Sequence, residues 1–249
     1  MYDEGLQLAK EAAARAGEFL SRRRNIRVDG DFGHDIKLNS DKESERIIID
    51  CLKVSNLPIL SEECGLVGDS GGLCWIVDPL DGTMNYFKGL DELCCVSIAL
   101  FDGGEPVLGV VNRFAAGEMF CGAPGAGAAF NGAPVRTSGV ESLKDAVMAT
   151  GFPSAMDYSE SSLAGFTRRV QGVKKVRMLG SAALMAAFVA CGKVDFYFER
   201  DIRLWDVAGA MAIVKAAGGA VKLQMKDADY KCDFGAFAGP RLMEAFYAS

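Results

Sequence analysis

The stretch Trp75-Ile76-Val77-Asp78-Pro79-Leu80-Asp81-Gly82-Thr83 limits the folds open to this chain more than any other. Apolar and aromatic residues run into a carboxylate, a proline follows, and a second carboxylate stands three positions after the first. The pattern predicts a β-strand that stops at the proline and delivers two acids and a Gly-Thr turn to one place. Two like charges there repel one another unless a cation or a proton intervenes. The expectation is a cation, and its other partners must come from elsewhere in the chain.

At 249 residues the chain can form one large domain or two small ones. Its 27 basic and 33 acidic residues give a net charge of −6. That balance argues against a general nucleic-acid surface, but not against a small phosphorylated ligand held through metal ions. Eight cysteines, at 51, 64, 74, 94, 95, 121, 191 and 232, include no C-x-x-C pair. Most lie in apolar runs, so buried free thiols in a reducing cytoplasm are expected. The N-terminus has no apolar signal core, and the small-apolar run Leu179 to Gly192 is too short to span a bilayer. A soluble, cytoplasmic protein with no membrane partner is expected.

Apolar spacing predicts a helix over about 3–23, ending in Arg22-Arg23-Arg24, a basic cluster read as a solvated helix end. A second helix is expected from about Asp41, capped by Ser40 or Asp41 and apolar at Ile47, Ile48, Cys51 and Leu52. Leu57–Ser61 reads as a buried strand, and Gly65–Gly72 as a glycine-rich loop. Strands follow at 94–101, 106–112 and 118–121, with Asn131-Gly132 as a hairpin turn. Past about residue 140, strands (145–149, 174–178, 194–199, 220–223) alternate with helices (161–170, 181–191, 206–217). The fold class expected is α+β passing into α/β, with an N-terminal half of 1–138 and a C-terminal half of 139–249.

Four acids stand where a strand ends or a helix begins: Glu62, Asp78, Asp81 and Asp206. Each also has a purely structural reading; Asp206 would be a helix N-cap, and Glu62 with Glu63 a solvated loop. Together, such hard oxygen ligands select magnesium, manganese or calcium over zinc, and a sparse set completed by water and substrate phosphate suits magnesium. If Gly82-Thr83 opens a helix, its free amides offer a site for phosphate oxygens. Cations on acids beside such a site suit phosphoryl transfer. There is no lysine-bearing Walker loop, so the acceptor would be water.

Asp78-Pro79-Leu80-Asp81-Gly82-Thr83-Met84-Asn85, Glu62-Glu63, and Trp205-Asp206-Val207-Ala208-Gly209-Ala210 with Ala217-Gly218-Gly219 resemble the inositol monophosphatase family, magnesium-dependent and lithium-sensitive phosphatases. The resemblance runs from Asp41 to Gly219 and implies a layered αβαβα sandwich of the sugar-phosphatase type. It implies one Mg2+ on Glu62, Asp78 and the Leu80 carbonyl, and a second on Asp78, Asp81 and Asp206. A third, weaker ion near Glu62 is also implied. Thr83, hydrogen-bonded to Asp41 and helped by Glu62, would activate the attacking water, and the Gly82 and Thr83 amides would hold phosphate. Metals would then lower the pKa of water and stabilise the leaving alkoxide.

For the alcohol, the resemblance points to Ser181, Ala182 and Glu199, with Asp81 and Asp206, as contacts to an inositol ring. Glu199 would otherwise merely end a strand. Two departures stand out: the loop from Glu63 to Trp75 is short, and Lys37 replaces a commonly neutral residue. Arg200 and Arg203 flank Glu199 and suit either solvent or a second anionic group, as in fructose 1,6-bisphosphate. Expected function is hydrolysis of myo-inositol monophosphate, with another sugar or nucleotide phosphate, or a non-catalytic regulatory relative, as alternatives. A homodimer is implied. Gly68-Asp69-Ser70-Gly71-Gly72 spells a serine-protease loop, but the lone histidine, His34, lies only 36 residues earlier, without the strands that two barrels need.

Overall fold

The computed structural model describes residues 2–23, 26–31, 33, 36–69, 71–152, 157–226 and 229–248. Arg24, His34, Asp35 and Ser70, which figure in the sequence reading, lie outside them. The chain opens with α1 (Tyr2–Ser21), β1 (Val28–Asp31), β2 (Ile36–Leu38) and α2 (Asn39–Leu52). Next come β3 (Ile59–Ser61), β4 (Gly65–Val67), β5 (Leu73–Asp81) and the short α3 (Thr83–Lys88). A run of strands follows: β6 (Cys95–Asp102), β7 (Glu105–Arg113), β8 (Glu118–Ala123), β9 (Gly127–Phe130), β10 (Ala133–Val135) and β11 (Val147–Ala149). The remainder is α4 (Glu160–Gln171), β12 (Lys175–Arg177), α5 (Ala182–Ala190), β13 (Phe196–Arg203), α6 (Leu204–Ala216), β14 (Ala220–Met225), β15 (Lys231–Phe237) and α7 (Pro240–Tyr247).

Strands β3 to β10 form an eight-stranded sheet in the order β10-β9-β8-β7-β6-β5-β3-β4, antiparallel except at β3–β5. A five-stranded sheet follows the order β12-β11-β13-β15-β14. Alternation along each strand sets the two faces of the sheets. Trp75 and Val77 of β5 enter the core beneath α1 and α2, whereas Ile76 enters the core shared with α5 and α6. Likewise, Phe196 and Phe198 of β13 face α7, and Tyr197 faces α5 and α6. The result is five layers, α/β/α/β/α, with α5 and α6 clamped between the two sheets.

That clamping explains the composition of the two inner helices. Every residue from Ala183 to Ala190 is buried, as is every residue from Val207 to Val214. A helix that is apolar all round must be covered all round. The central part of the short apolar run 179–192, residues 183–190, therefore lies in the middle of a globular core, and among the described residues no helix is long and apolar enough to cross a membrane.

Several expectations are corrected. Pro79 does not stop its strand: β5 continues to Asp81, and the ladder with β6 shifts register between Asp78 and Asp81. A bulge leaves room for a residue with no N–H to donate. Neither Ser40 nor Asp41 caps α2, because the helix begins at Asn39 and places Asp41 in its third position. The same holds for Asp206 in α6. Arg23 is not a solvated helix end; it donates to the Tyr86 carbonyl at 2.5 Å and to the Asp91 carboxylate, with its guanidinium 4.7 Å from the Tyr86 ring centre. The Gly65–Gly72 loop holds a strand, β4, antiparallel to β3. β15 and α7 went unanticipated, and β15 breaks the α/β alternation by inserting antiparallel between β13 and β14.

Candidate active site

Parallel pairing of β3 with β5 aligns Ser61 with Val77. The next residue on each strand is an acid, so Glu62 and Asp78 emerge side by side, and the Glu62 N–H donates to the Val77 carbonyl at 3.3 Å. Asp78 is buried and accepts from the Leu80 N–H at 3.0 Å. The bulge then brings Asp81 back toward the same end of the sheet. Gly82 follows at φ +89, where an added Cβ would lie 2.9 Å from the Leu93 carbonyl oxygen. Only glycine makes that turn without strain, and α3 starts directly after it.

Helix α2 lines one wall with three polar residues on a single face, Asp41, Ser44 and Glu45, at the i, i+3, i+4 spacing that puts side chains together. The Ser44 hydroxyl donates to the Pro79 carbonyl at 2.7 Å. Glu45 accepts from the Glu63 and Cys64 N–H groups at 3.1 and 3.0 Å, fixing the turn that carries Glu62. Asp41 turns one oxygen back to the Leu38 N–H at 2.7 Å, and its other oxygen lies 3.1 Å from the Thr83 hydroxyl. That hydroxyl is also 3.0 Å from the Leu80 carbonyl. With one proton it donates to one of the two at a time. Burial pushes the Asp41 carboxyl up to about 7, with Glu63 adding to the rise.

The opposite wall comes from the C-terminal half. Asp206 accepts from the Arg203 N–H at 2.8 Å at the start of α6. Asp81 reaches across to the first turn of α5, where it accepts from the Ser181 hydroxyl and from the Ala182 and Ala183 N–H groups at 3.2 and 2.7 Å. Ser181 and Ala182, expected to meet substrate, here direct these donors to Asp81. The Asn85 side-chain amide crosses the same boundary to the Leu179 carbonyl at 2.7 Å. Glu199 is buried in β13 rather than ending it, and it accepts from the Tyr197 hydroxyl at 2.8 Å. Burial raises its carboxyl to about 7. Gly151 makes room for it, since a Cβ there would stand 2.6 Å from Glu199 Oε2.

Glu62, Asp78, Leu80, Asp81, Gly82, Thr83, Ser181, Ala182, Glu199 and Asp206 all line one cleft of about 700 Å³. Asp41 stands behind it and reaches it through Thr83. Ser44 and Glu45 are supporting residues outside the motifs, where polar residues on a helix face otherwise destined for burial were the available signal; Asn85 lies within a motif that gives it no role. Lys37 also lines the cleft, paired with Glu63 at 2.8 Å. Arg203 lines the cleft beside Trp205, while Arg200 points to a neighbouring pocket.

The acids are electrostatically crowded. Burial raises Glu62, Asp78 and Asp206 well above the usual carboxylate range, and each also feels its acidic neighbours. Burial raises Asp81 as well, against the pull of the Ser181 hydroxyl and the two amides. Four carboxylates and a carbonyl line the cleft, an all-oxygen set of candidate donors of the kind that magnesium prefers. The adjacent Cys95 is fully buried, which raises its thiol pKa well above normal and keeps it protonated, outside the donor set. Among the described residues no three acidic, histidine or cysteine side chains stand close enough together, as placed, to hold a metal ion between them. A divalent cation here would relieve the repulsion and take its remaining ligands from water and substrate.

The model of the inositol monophosphatase family matches residues 1–243. "Nus factor SuhB" from Xylella fastidiosa is 35% identical over 249 residues, covering 97% of this chain and 86% of that protein. "Fructose-1,6-bisphosphatase/inositol-1-monophosphatase" from Thermotoga maritima is 38% identical over 189 residues, covering 75% of this chain and 71% of that one. The solved structure of inositol monophosphatase from Anabaena (Nostoc) superposes with a TM-score of 0.86 at 32% identity, covering 99% of this chain and 95% of that chain. By sequence and by fold, this chain belongs to the inositol monophosphatase family.

Proposed function

We propose that the chain is a magnesium-dependent phosphomonoesterase that hydrolyses the phosphate ester of a small polyol, myo-inositol monophosphate first among them. The observation that carries this reading is the convergence of Glu62, Asp78, Asp81 and Asp206 on one cleft, beside a Thr83 hydroxyl held by Asp41. Glu62, Asp78, Asp81, Asp206 and the Leu80 carbonyl would hold two Mg2+ ions, with a third, weaker one near Glu62; Mn2+ would serve in their place. Bound metal supplies a lowered water pKa and charge neutralisation. Thr83 and Asp41 accept and relay the proton of the attacking water, with Glu62 alongside. The Gly82 and Thr83 N–H groups orient phosphate oxygens, and Glu199 accepts from a hydroxyl of the alcohol. Family membership supports lithium sensitivity and a homodimer as parts of the same proposal, with residues 1–138 and 139–249 as its two halves.

A second reading is a regulatory relative, favoured by the name Nus factor carried by the Xylella fastidiosa protein and by others at 34–36% identity. One assay separates the two. Metal-loaded protein should release phosphate from myo-inositol 1-phosphate, and Asp81→Asn should abolish the release. No turnover across a panel of inositol, sugar and nucleotide phosphates would leave the regulatory reading standing.

A further inference from the structure

Ser97 of β6 is almost wholly buried, yet its hydroxyl finds no hydrogen-bond partner among the described residues. A buried donor left unpaired costs stability, and such donors are rare in native interiors. The position of this one is specific. Ser97 stands directly opposite Asp78 in the β5–β6 ladder. Opposite residues of antiparallel strands project from the same face, with Cβ atoms about 4.5–5.5 Å apart. The hydroxyl also lies against α6, one turn after Asp206, since a Cβ on Gly209 would stand 2.6 Å from it. We propose that Ser97 is a positioning residue of the metal centre: its hydroxyl donates to the Asp78 carboxylate when that carboxylate holds a divalent cation. The proposal rests on the metal-dependent reading and deepens it.

Three observations carry it. First, the acceptor has capacity. The Leu80 N–H donates to Oδ1 of Asp78 at 3.0 Å. A carboxylate accepts at about four lone-pair positions, so an amide, a hydroxyl and metal ions can share it. Second, β6 already reaches a β5 acid elsewhere in this ladder. Cys95 stands opposite Asp81, and its thiol lies 3.6 Å from Asp81 Oδ2. Asp81 is held further by the Ser181 hydroxyl and by the Ala182 and Ala183 amides. Asp78, which belongs to both implied metal sets, has the Leu80 amide and an uncommitted hydroxyl beside it. Third, the face is the right one. Ser97 alternates with Val96 and Ile98, which enter the core beneath α1 and α2, and it shares the opposite face with Cys95 and Ala99. Ser61 is the other buried hydroxyl without a partner among the described residues. It pairs with Val77 rather than Asp78 and lies on the α2 side with Ile59. A hydroxyl that pairs with Asp78 in the metal-bound form, and with nothing in the metal-free form, shifts the balance toward bound metal.

Calorimetric titration of Mg2+, and separately of Mn2+, into chelator-treated protein tests the proposal without substrate. Ser97→Ala should weaken metal binding roughly tenfold or more, the usual scale for a partner that orients a metal ligand. Its metal-free melting temperature should equal or exceed that of the wild type, because the variant removes an unpaired buried donor. Ser61→Ala removes the other unpaired hydroxyl from the opposite face and should leave metal binding nearly unchanged. In the phosphatase assay, the Mg2+ concentration for half-maximal phosphate release should rise in Ser97→Ala by the factor seen in calorimetry, with kcat at saturating Mg2+ nearly unchanged. Metal binding by Ser97→Ala equal to that of the wild type, or weakened to the same extent in Ser61→Ala, would overturn the proposal and leave the phosphatase reading intact. Weakened binding in Ser97→Ala alone upholds it even where no ester is hydrolysed. A wild type that binds neither ion would remove both readings.

Discussion

Gly109 of β7 and Gly209 of α6 meet backbone to backbone: a Cβ added to Gly109 would stand 2.0 Å from the Gly209 carbonyl oxygen. A Cβ on Gly209 would in turn lie 2.6 Å from the Ser97 hydroxyl. Helix α6 thus rests directly on the eight-stranded sheet, and Asp206, one turn before the contact, is brought to the carboxylates of β3 and β5. The depth of one helix on one strand sets where the C-terminal acid joins the N-terminal ones.

Gly109→Val should therefore damage both fold and site. The clash involves backbone, which cannot rotate away, so destabilisation of about 3 kcal/mol is expected, with loss of phosphate release. Gly239→Ala is the matched control, since a Cβ there meets nothing within 4 Å and its φ of −176° suits any residue. Urea unfolding curves compare them. A Gly109→Val protein as stable as the control would refute the contact.

Thr83→Val keeps the shape of the side chain and removes only its hydroxyl. Since that hydroxyl lies between Asp41 and the Leu80 carbonyl, its loss should cost the proton relay but little packing. A fall in kcat of roughly 10²–10⁴-fold is expected, with KM and melting temperature nearly unchanged. Steady-state kinetics on myo-inositol 1-phosphate decides it; a kcat within threefold of wild type would remove Thr83 from the chemistry.

Glu199 gives a pH dependence of stability. Its folded carboxyl titrates at about 7, against 4.5 ordinarily, because burial disfavours its charge. Between those values the folded protein holds more protons than the unfolded one, so the contribution of Glu199 becomes less favourable as pH rises through this window and levels off above 7. Glu199→Gln should remove this loss while still accepting from Tyr197. In chelator-treated protein the variant should gain up to roughly 3 kcal/mol over wild type at pH 8, relative to pH 4.5. Denaturant unfolding at the two pH values measures it. An equal difference at both would show that Glu199 ionises normally.

Local chemistry made much of this protein legible in one dimension. Alternation and apolar runs located most strands and helices, and Asp78-Pro79-Leu80-Asp81-Gly82-Thr83 marked the site. Nine of the ten predicted residues that line the cleft occur in motifs of strand ends and helix starts, which depend on neighbours a few positions away; Glu199, inside β13, is the exception. The supporting residues were harder to see. Ser44 and Glu45 become informative only once α2 is known to face the Pro79 bulge and the Glu62 turn, and Asn85 only once Leu179 is known to lie beside it.

By itself the sequence determined the period of most elements, the oxygen character of the site and the turn at Gly82, because each follows from the spacing of side chains along a short piece of backbone. Tertiary structure alone decided that Asp81 accepts from α5 a hundred positions away, that Gly151 makes room for Glu199, and that the Ser97 hydroxyl lies against Gly209 of α6. It also decided that β15 inserts antiparallel between β13 and β14. Those relationships depend on how closely backbones approach across packed layers, and distance along the chain carries no record of that.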